Sequence, residues 1–164
     1  MEDILETPIL LLGITLFVAA AYGDIKSLRI PNKLAIGVAL LGILRLIVLG
    51  DPSAAIQTIA ASATVFLVTF LLFWRGILGG GDVKLLSATV LLVGYDELFP
   101  FLLIMSVCGA LVALAVLFIH NYLPLCLGPR LAVLVPNARM AVPYGVAIAS
   151  AGIVTLLLQP SLLG

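Results

Sequence analysis

The sequence predicts an all-α membrane protein, a polytopic bundle of six transmembrane helices with the fourth broken near a Gly-rich segment. Three observations carry this. The chain is 63% hydrophobic and only 10% charged, with a mean hydropathy of +1.33, so polar side chains are too few to solvate a globular protein of this size. The apolar residues gather in six runs separated by Pro and Gly. In lipid a backbone must satisfy its own hydrogen bonds, which makes such runs helices. A length of 164 residues suits one domain, 1–164, without a separate soluble part.

The runs are Pro8 to Gly23, Leu34 to Leu49, Ala54 to Trp74, Val83 to Gly94, Leu98 to Ile119 and Ala141 to Leu158. Pro31 is expected to start the second helix, because its fixed φ suits a first turn. The fourth run is short, rising about 18 Å against roughly 30 Å of hydrocarbon. Trp74 and Tyr95, as aromatic residues that favour the two interfaces, extend the crossing to include Gly79, Gly80, Gly81 and Asp82. Irregular backbone at membrane depth is tolerated where it lines a cavity or is buried in protein. The segment from Tyr122 to Met140 is apolar and interrupted by prolines, and is expected in the interface or over the site.

Charge gives an orientation. With six spans, Lys26, Arg29, Lys33, Arg75, Lys84, Arg130 and Arg139 fall on one side, together with His120. The positive-inside rule makes that side cytoplasmic and puts both termini outside. Arg45 lies near the outer end of the second run and is expected to snorkel to that interface. Glu2, Asp3, Glu6, Asp51, Asp96 and Glu97 lie on the outer side. Asp24 and Asp82 are the carboxylates left on the cytoplasmic side, one after the first run and one before the fourth. The acidic N-terminus lacks the basic start of a secretory signal, so the first run is expected to be retained. A formal net charge of +0 leaves no basic surface for nucleic acid. The two cysteines, Cys108 and Cys126, have no CxxC spacing and provide neither a metal site nor a disulfide framework.

Two neighbouring carboxylates can share a proton, one acting as general base toward a water and the other donating to a carbonyl. Such a pair hydrolyses peptide bonds without Ser, Cys or metal. The chain has one His, no HExxH and no Ser in a nucleophile-elbow setting. Glycines before Asp82 would let a substrate backbone come close, since they carry no side chain. Each residue also has a structural reading. Asp24 could pair with Lys26 or Arg29 at a helix end, and Asp82 could be a plain N-cap. Lys26 and Lys84 could tune the acids or only set topology, and Pro143 and Gly145 could be ordinary helix-start and packing residues.

"GDIKSLRIPNKL" (Gly23 to Leu34), followed by "GGGDVKLL" (Gly79 to Leu86), resembles the type IV prepilin peptidases, membrane aspartic peptidases of the GxGD class. Gly79, Gly81 and Asp82 supply GxGD. Asp24, in the D-x-K and I-P-N context of Lys26, Pro31 and Asn32, matches the first catalytic aspartate. "VPYGVAIASAG", with Pro143 and Gly145, is similar to the family's Pro-aromatic-Gly segment. The resemblance spans the chain from the first run to the last. It implies removal of a short basic leader from prepilin-like precursors at the cytoplasmic membrane face. Larger members carry a cysteine-rich zinc segment and also N-methylate the product. This chain has no CxxC pair, so the resemblance implies a compact peptidase of the tight-adherence (Flp) kind, without methylation, metal or other cofactor. Archaeal preflagellin peptidases are similar in chemistry. The rival reading is a proton-coupled transporter or pilus assembly factor using both aspartates without proteolysis.

Overall fold

In the computed structural model, residues 2–127 and 143–159 are described, with side chains from Glu6 to Phe118 and from Pro143 to Gln159. Every regular element among them is a helix: α1 (Glu2–Ser27), α2 (Asn32–Leu49), α3 (Pro52–Trp74), α4 (Gly80–Val93), α5 (Leu98–Leu127) and α6 (Tyr144–Leu158). Four have stretches long and apolar enough to cross a membrane: Glu6–Ser27, Asn32–Leu49, Pro52–Trp74 and Leu98–Phe118. The protein is therefore a helical membrane protein, with four clear spans among the described residues where six were expected. The 14 residues of α4 and the 15 of α6 are too short to count as full spans by length. Arg130, Arg139 and most of the Tyr122 to Met140 segment lie outside the described residues, as does the side chain of His120.

Most helix ends differ from the expected runs by a few residues, α1 for instance starting at Glu2 with Pro8 inside it, and three differences matter most. First, α1 does not stop at Gly23 but continues through Asp24 to Ser27, because Leu28 N–H still reaches the Asp24 carbonyl at 2.8 Å. Second, α5 continues beyond Ile119 to Leu127 with Pro124 inside it. Third, the glycine triplet does not break a helix. The chain leaves α3 at Trp74, turns through Gly76 at φ 72°, and α4 starts afresh with Gly79 as its N-cap. A positive φ at Gly76 has no steric penalty, which is why the turn sits there.

The helix starts follow local chemistry. Pro31 is the N-cap of α2, one residue before the helix. Asp51 caps α3, its Oδ1 accepting from Ser53 N–H at 2.8 Å and Ala54 N–H at 3.4 Å, with Pro52 in the first turn. The Ser53 hydroxyl also donates to Asp51 Oδ1 at 2.8 Å, and this bond, with the two from the amides, holds the Asp51 carboxyl below its ordinary range. A group with a lowered folded pKa stabilises the fold above its unfolded pKa and loses that contribution as pH falls through the folded one. Asp51→Ala is accordingly expected to lower the melting temperature in detergent at neutral pH, and by less in acid. Asp51→Ser is expected to keep most of the stability. An equal loss for Ala at both pH values would contradict the capping role.

At the centre of the bundle stands α4. It packs mainly against α2 and α3, with α6 alongside, while α1 pairs with α6 and α2, and α5 leans on α6. Val83, Leu85, Leu86, Ala88, Thr89, Val90, Leu92 and Val93 of α4 are all buried. Between lipid-exposed helices there is little hydrophobic drive, so small residues and close packing matter more. Gly42 of α2 shows this: a Cβ there would lie 2.7–2.8 Å from the Leu91 and Leu92 backbone of α4.

Arg45 does not snorkel. It is 9% exposed and turned into the bundle. Its Nε donates to Glu6 Oε1 at 3.2 Å, and its Nη1 to the carbonyls of Leu92 at 2.7 Å and Val93 at 3.0 Å. The last carbonyls of a short helix buried in the bundle lack intrahelical partners, and a guanidinium fork can reach several of them at once. Gln159 at the end of α6 donates to the same Val93 carbonyl at 2.9 Å.

Candidate functional site

The other end of α4 carries the candidate site. Gly79 is the N-cap, so Asp82 is the third residue of the helix. From there a carboxylate can fold back to the N-cap amide, the reciprocal half of a capping box. Asp82 accepts from the Gly79 backbone in this way. A Cβ on Gly79 would sit 2.7 Å from Asp82 Oδ2, so the missing side chain is what admits the carboxylate. The reading of Asp82 as the N-cap itself is corrected by three positions: it closes the first turn from inside.

Asp24 arrives from the last turn of α1 and is 4% exposed. Its Oδ2 accepts from the Val146 N–H of α6 at 3.3 Å, and it also bonds the Gly145 backbone. It thus caps a helix whose own N-cap, Pro143, provides no side-chain acceptor. A Cβ on Gly145 would come within 2.7 Å of Asp24 Oδ2 and 2.7 Å of Ile30 Cδ1. Gly145 is glycine because a carboxylate and an isoleucine occupy that space. The pairing of Asp24 with Lys26 or Arg29 does not occur. Lys26 is exposed, with Nζ 6.0 Å from the Tyr22 ring centre. Among the described residues the ion pair is Arg45–Glu6, away from both aspartates.

Both acids therefore serve helix N-termini, Asp82 that of its own α4 and Asp24 that of α6. The two termini lie side by side, since Ile30 touches both. A Cβ on Gly81 would meet the Ile30 Cβ at 3.2 Å and its backbone N and O at 3.5 Å each. Within this arrangement the carboxylates are near enough for the charge of Asp24 to act on Asp82. Two helix N-termini aimed at one place favour negative charge there. They offset part of the repulsion between a buried and a half-buried acid that have no cationic partner among the described residues.

The remaining predicted residues fall around this pair. Lys84, one turn into α4, donates to Asn32 Oδ1 of α2 at 3.0 Å, tying the I-P-N loop to the GxGD helix. The two residues also line a cleft of about 330 Å³ between α2 and α4, with Ala35, Ala39 and Ser87. Pro31 and Pro143 precede α2 and α6. Each glycine of the triplet faces a neighbour in its own chain: Gly79 faces Asp82, Gly80 the Phe73 ring and Gly81 Ile30. Two contributors were not singled out by sequence reasoning, Ile30 and the Val146 amide. Ile30 stands inside the I-P-N signature and was legible there. A backbone amide leaves no mark in a sequence.

Residues 10–114 match the type IV leader peptidase family. The chain belongs to that family. Membership implies a peptidase, with a prepilin-like protein as its substrate. No curated protein and no solved structure matches the chain. The matched region contains Asp24, the I-P-N loop, the glycine triplet and Asp82.

Proposed function

We propose that the protein is a membrane-embedded aspartic endopeptidase that removes the basic leader from Flp-type prepilin precursors at the cytoplasmic face. One observation carries the reading. In a chain of the type IV leader peptidase family, two carboxylates from different helices sit at adjacent helix N-termini, within each other's field, without a cationic partner among the described residues.

Asp24 and Asp82 are the catalytic pair in this proposal and hold one proton between them. The ionised member takes a proton from water, whose oxygen attacks the scissile carbonyl carbon. The protonated member donates to the carbonyl oxygen as it gains charge. Collapse of the tetrahedral intermediate breaks the C–N bond, and the departing amine takes a proton from the pair. The N-termini of α4 and α6 favour the negative charge of the pair throughout. Gly79, Gly80 and Gly81 form the substrate approach, with Lys26, Lys84, Pro31, Asn32, Pro143 and Gly145 supporting it. The leader's positive charge suits a site with two acids, and the site needs no cofactor or metal.

The test uses the purified protein in lipid with a Flp-type pilin precursor. Mass spectrometry is expected to show a leader-shortened product with an unmethylated N-terminus. An intact precursor together with proton flux across the liposomes would establish the transporter instead. A shared proton also fixes the pH dependence. When both acids are protonated there is no base, and when both are ionised there is no donor to the carbonyl. The kcat/KM profile is therefore expected to be bell-shaped, its two constants belonging to the pair. A profile flat through the acid and neutral range would rule out the shared-proton step.

A further inference from the structure

The polar cluster at the far end of α4 has no place in the chemistry just described, yet it holds the helix that carries Asp82. We infer that Arg45 is a positioning residue: with Glu6 and Gln159 it fixes the axial position of α4, and so the height of Asp82 opposite Asp24. The inference rests on the assignment of those two aspartates.

An apolar helix among apolar helices has no strong axial preference, because sliding exchanges one methyl contact for another. Polar contacts set its register. Beyond its own first turn, α4 has few of them. Lys84 bonds Asn32 at the aspartate end, and Ser62 Oγ donates to the Ser87 carbonyl at 2.9 Å midway. The Lys84 pair is exposed and the Ser62 bond is neutral. At the far end, a buried guanidinium donates to two successive carbonyls, with Gln159 sharing the second. A cation at a helix C-terminus also complements the helix dipole, as the Asp82 carboxylate does at the other end. Bonds from a charged donor in a low-dielectric interior are the strongest of this set.

Glu6 makes the arrangement selective. It holds Nε, which leaves Nη1 aimed at Leu92 and Val93. Gly42 lies one turn before Arg45 on α2, and its lack of a side chain allows the backbones to approach closely enough for the fork to reach. The guanidinium is thus fixed to α1 by an acid and to α2 by its own backbone, and α4 hangs from it.

The experiment separates position from chemistry. In a background with Cys108→Ala and Cys126→Ala, Asn32→Cys and Lys84→Cys report the register of α4 through a short bis-methanethiosulfonate cross-linker. Adding Arg45→Met is expected to lower the cross-link yield several-fold, and Arg45→Lys to restore part of it. In the otherwise unaltered protein, Arg45→Met is expected to lower kcat about 10²-fold with KM nearly unchanged, as for a misplacement of about 1 Å. Should Arg45→Met fail to fold, Glu6→Gln carries the test, with a smaller change in the same two readings. Wild-type cross-linking in a folded Arg45→Met or Glu6→Gln protein overturns the inference, even if activity is lost. The cross-linking arm needs no cleavage, so it stands apart from failure of the peptidase assignment.

Discussion

Asp24→Asn and Asp82→Asn are each expected to abolish precursor cleavage to within the limit of detection, a loss of about 10²–10⁴-fold or more. Both variants should remain folded. An asparagine side-chain oxygen can still accept from Val146 N–H in place of Asp24, or from the Gly79 amide in place of Asp82. What the amide cannot do is take a proton from water or hold one for the carbonyl. The double variant should fall little below either single one, because the pair acts as a unit and removing one member already removes the step. Cleavage assays on the reconstituted single and double variants, with melting curves as the folding control, measure this. Full processing by both single variants would falsify the assignment of the catalytic pair.

Gly42→Ala should give the largest loss of stability among single-methyl additions. Alanine in a helix interior ordinarily gains about 1 kcal/mol over glycine. Here the new Cβ would stand 2.7 Å from the Leu91 carbonyl carbon and 2.8 Å from the Leu92 amide nitrogen. Those are backbone atoms of a packed helix and cannot turn aside as a leucine methyl can. Overpacking costs about 1–3 kcal/mol, and a rigid opposing backbone puts this site at the upper end, for a net loss of about 2 kcal/mol. Gly109→Ala is the control. Its Cβ would meet only the Ala147 Cβ, at an ordinary 3.8 Å, so the helix gain should survive. Thermal unfolding of both variants in the same detergent decides the matter. Equal melting temperatures would mean that α2 and α4 separate at little cost.

Much of the fold was legible, for a plain reason. Long apolar runs and their Pro and Gly punctuation are local properties, and lipid allows them few outcomes besides helices. The start of α2 after Pro31 was written in the same local way, whereas α3, expected from Ala54, begins two residues earlier at Pro52 behind its Asp51 cap. Asp24 and Asp82 stood out because charge sorting left them alone on one side. Of the failures, two were matters of partnership and one of a local turn. Arg45 near the end of an apolar run looked like an interfacial cation, because nothing nearby in sequence announces that α4 ends beside it. The structural alternative for Asp24, a neighbouring Lys or Arg, misses because the partner is an amide 122 positions away. The glycine triplet looked like a break inside a crossing, because sequence does not say that the residues from Arg75 to Gly79 turn before α4 begins.

The bond from Val146 to Asp24 bears on what a family match certifies. Both aspartates lie inside the matched residues 10–114, and the amide that holds one of them lies outside. Gly145, which makes room for that carboxylate, lies outside as well. A homologue that keeps both motifs but changes its last helix would still be recognised as kin, with one acid released from its seat. In this family portrait the match over residues 10–114 establishes ancestry, and the first turn of α6 is the part to inspect before competence is ascribed.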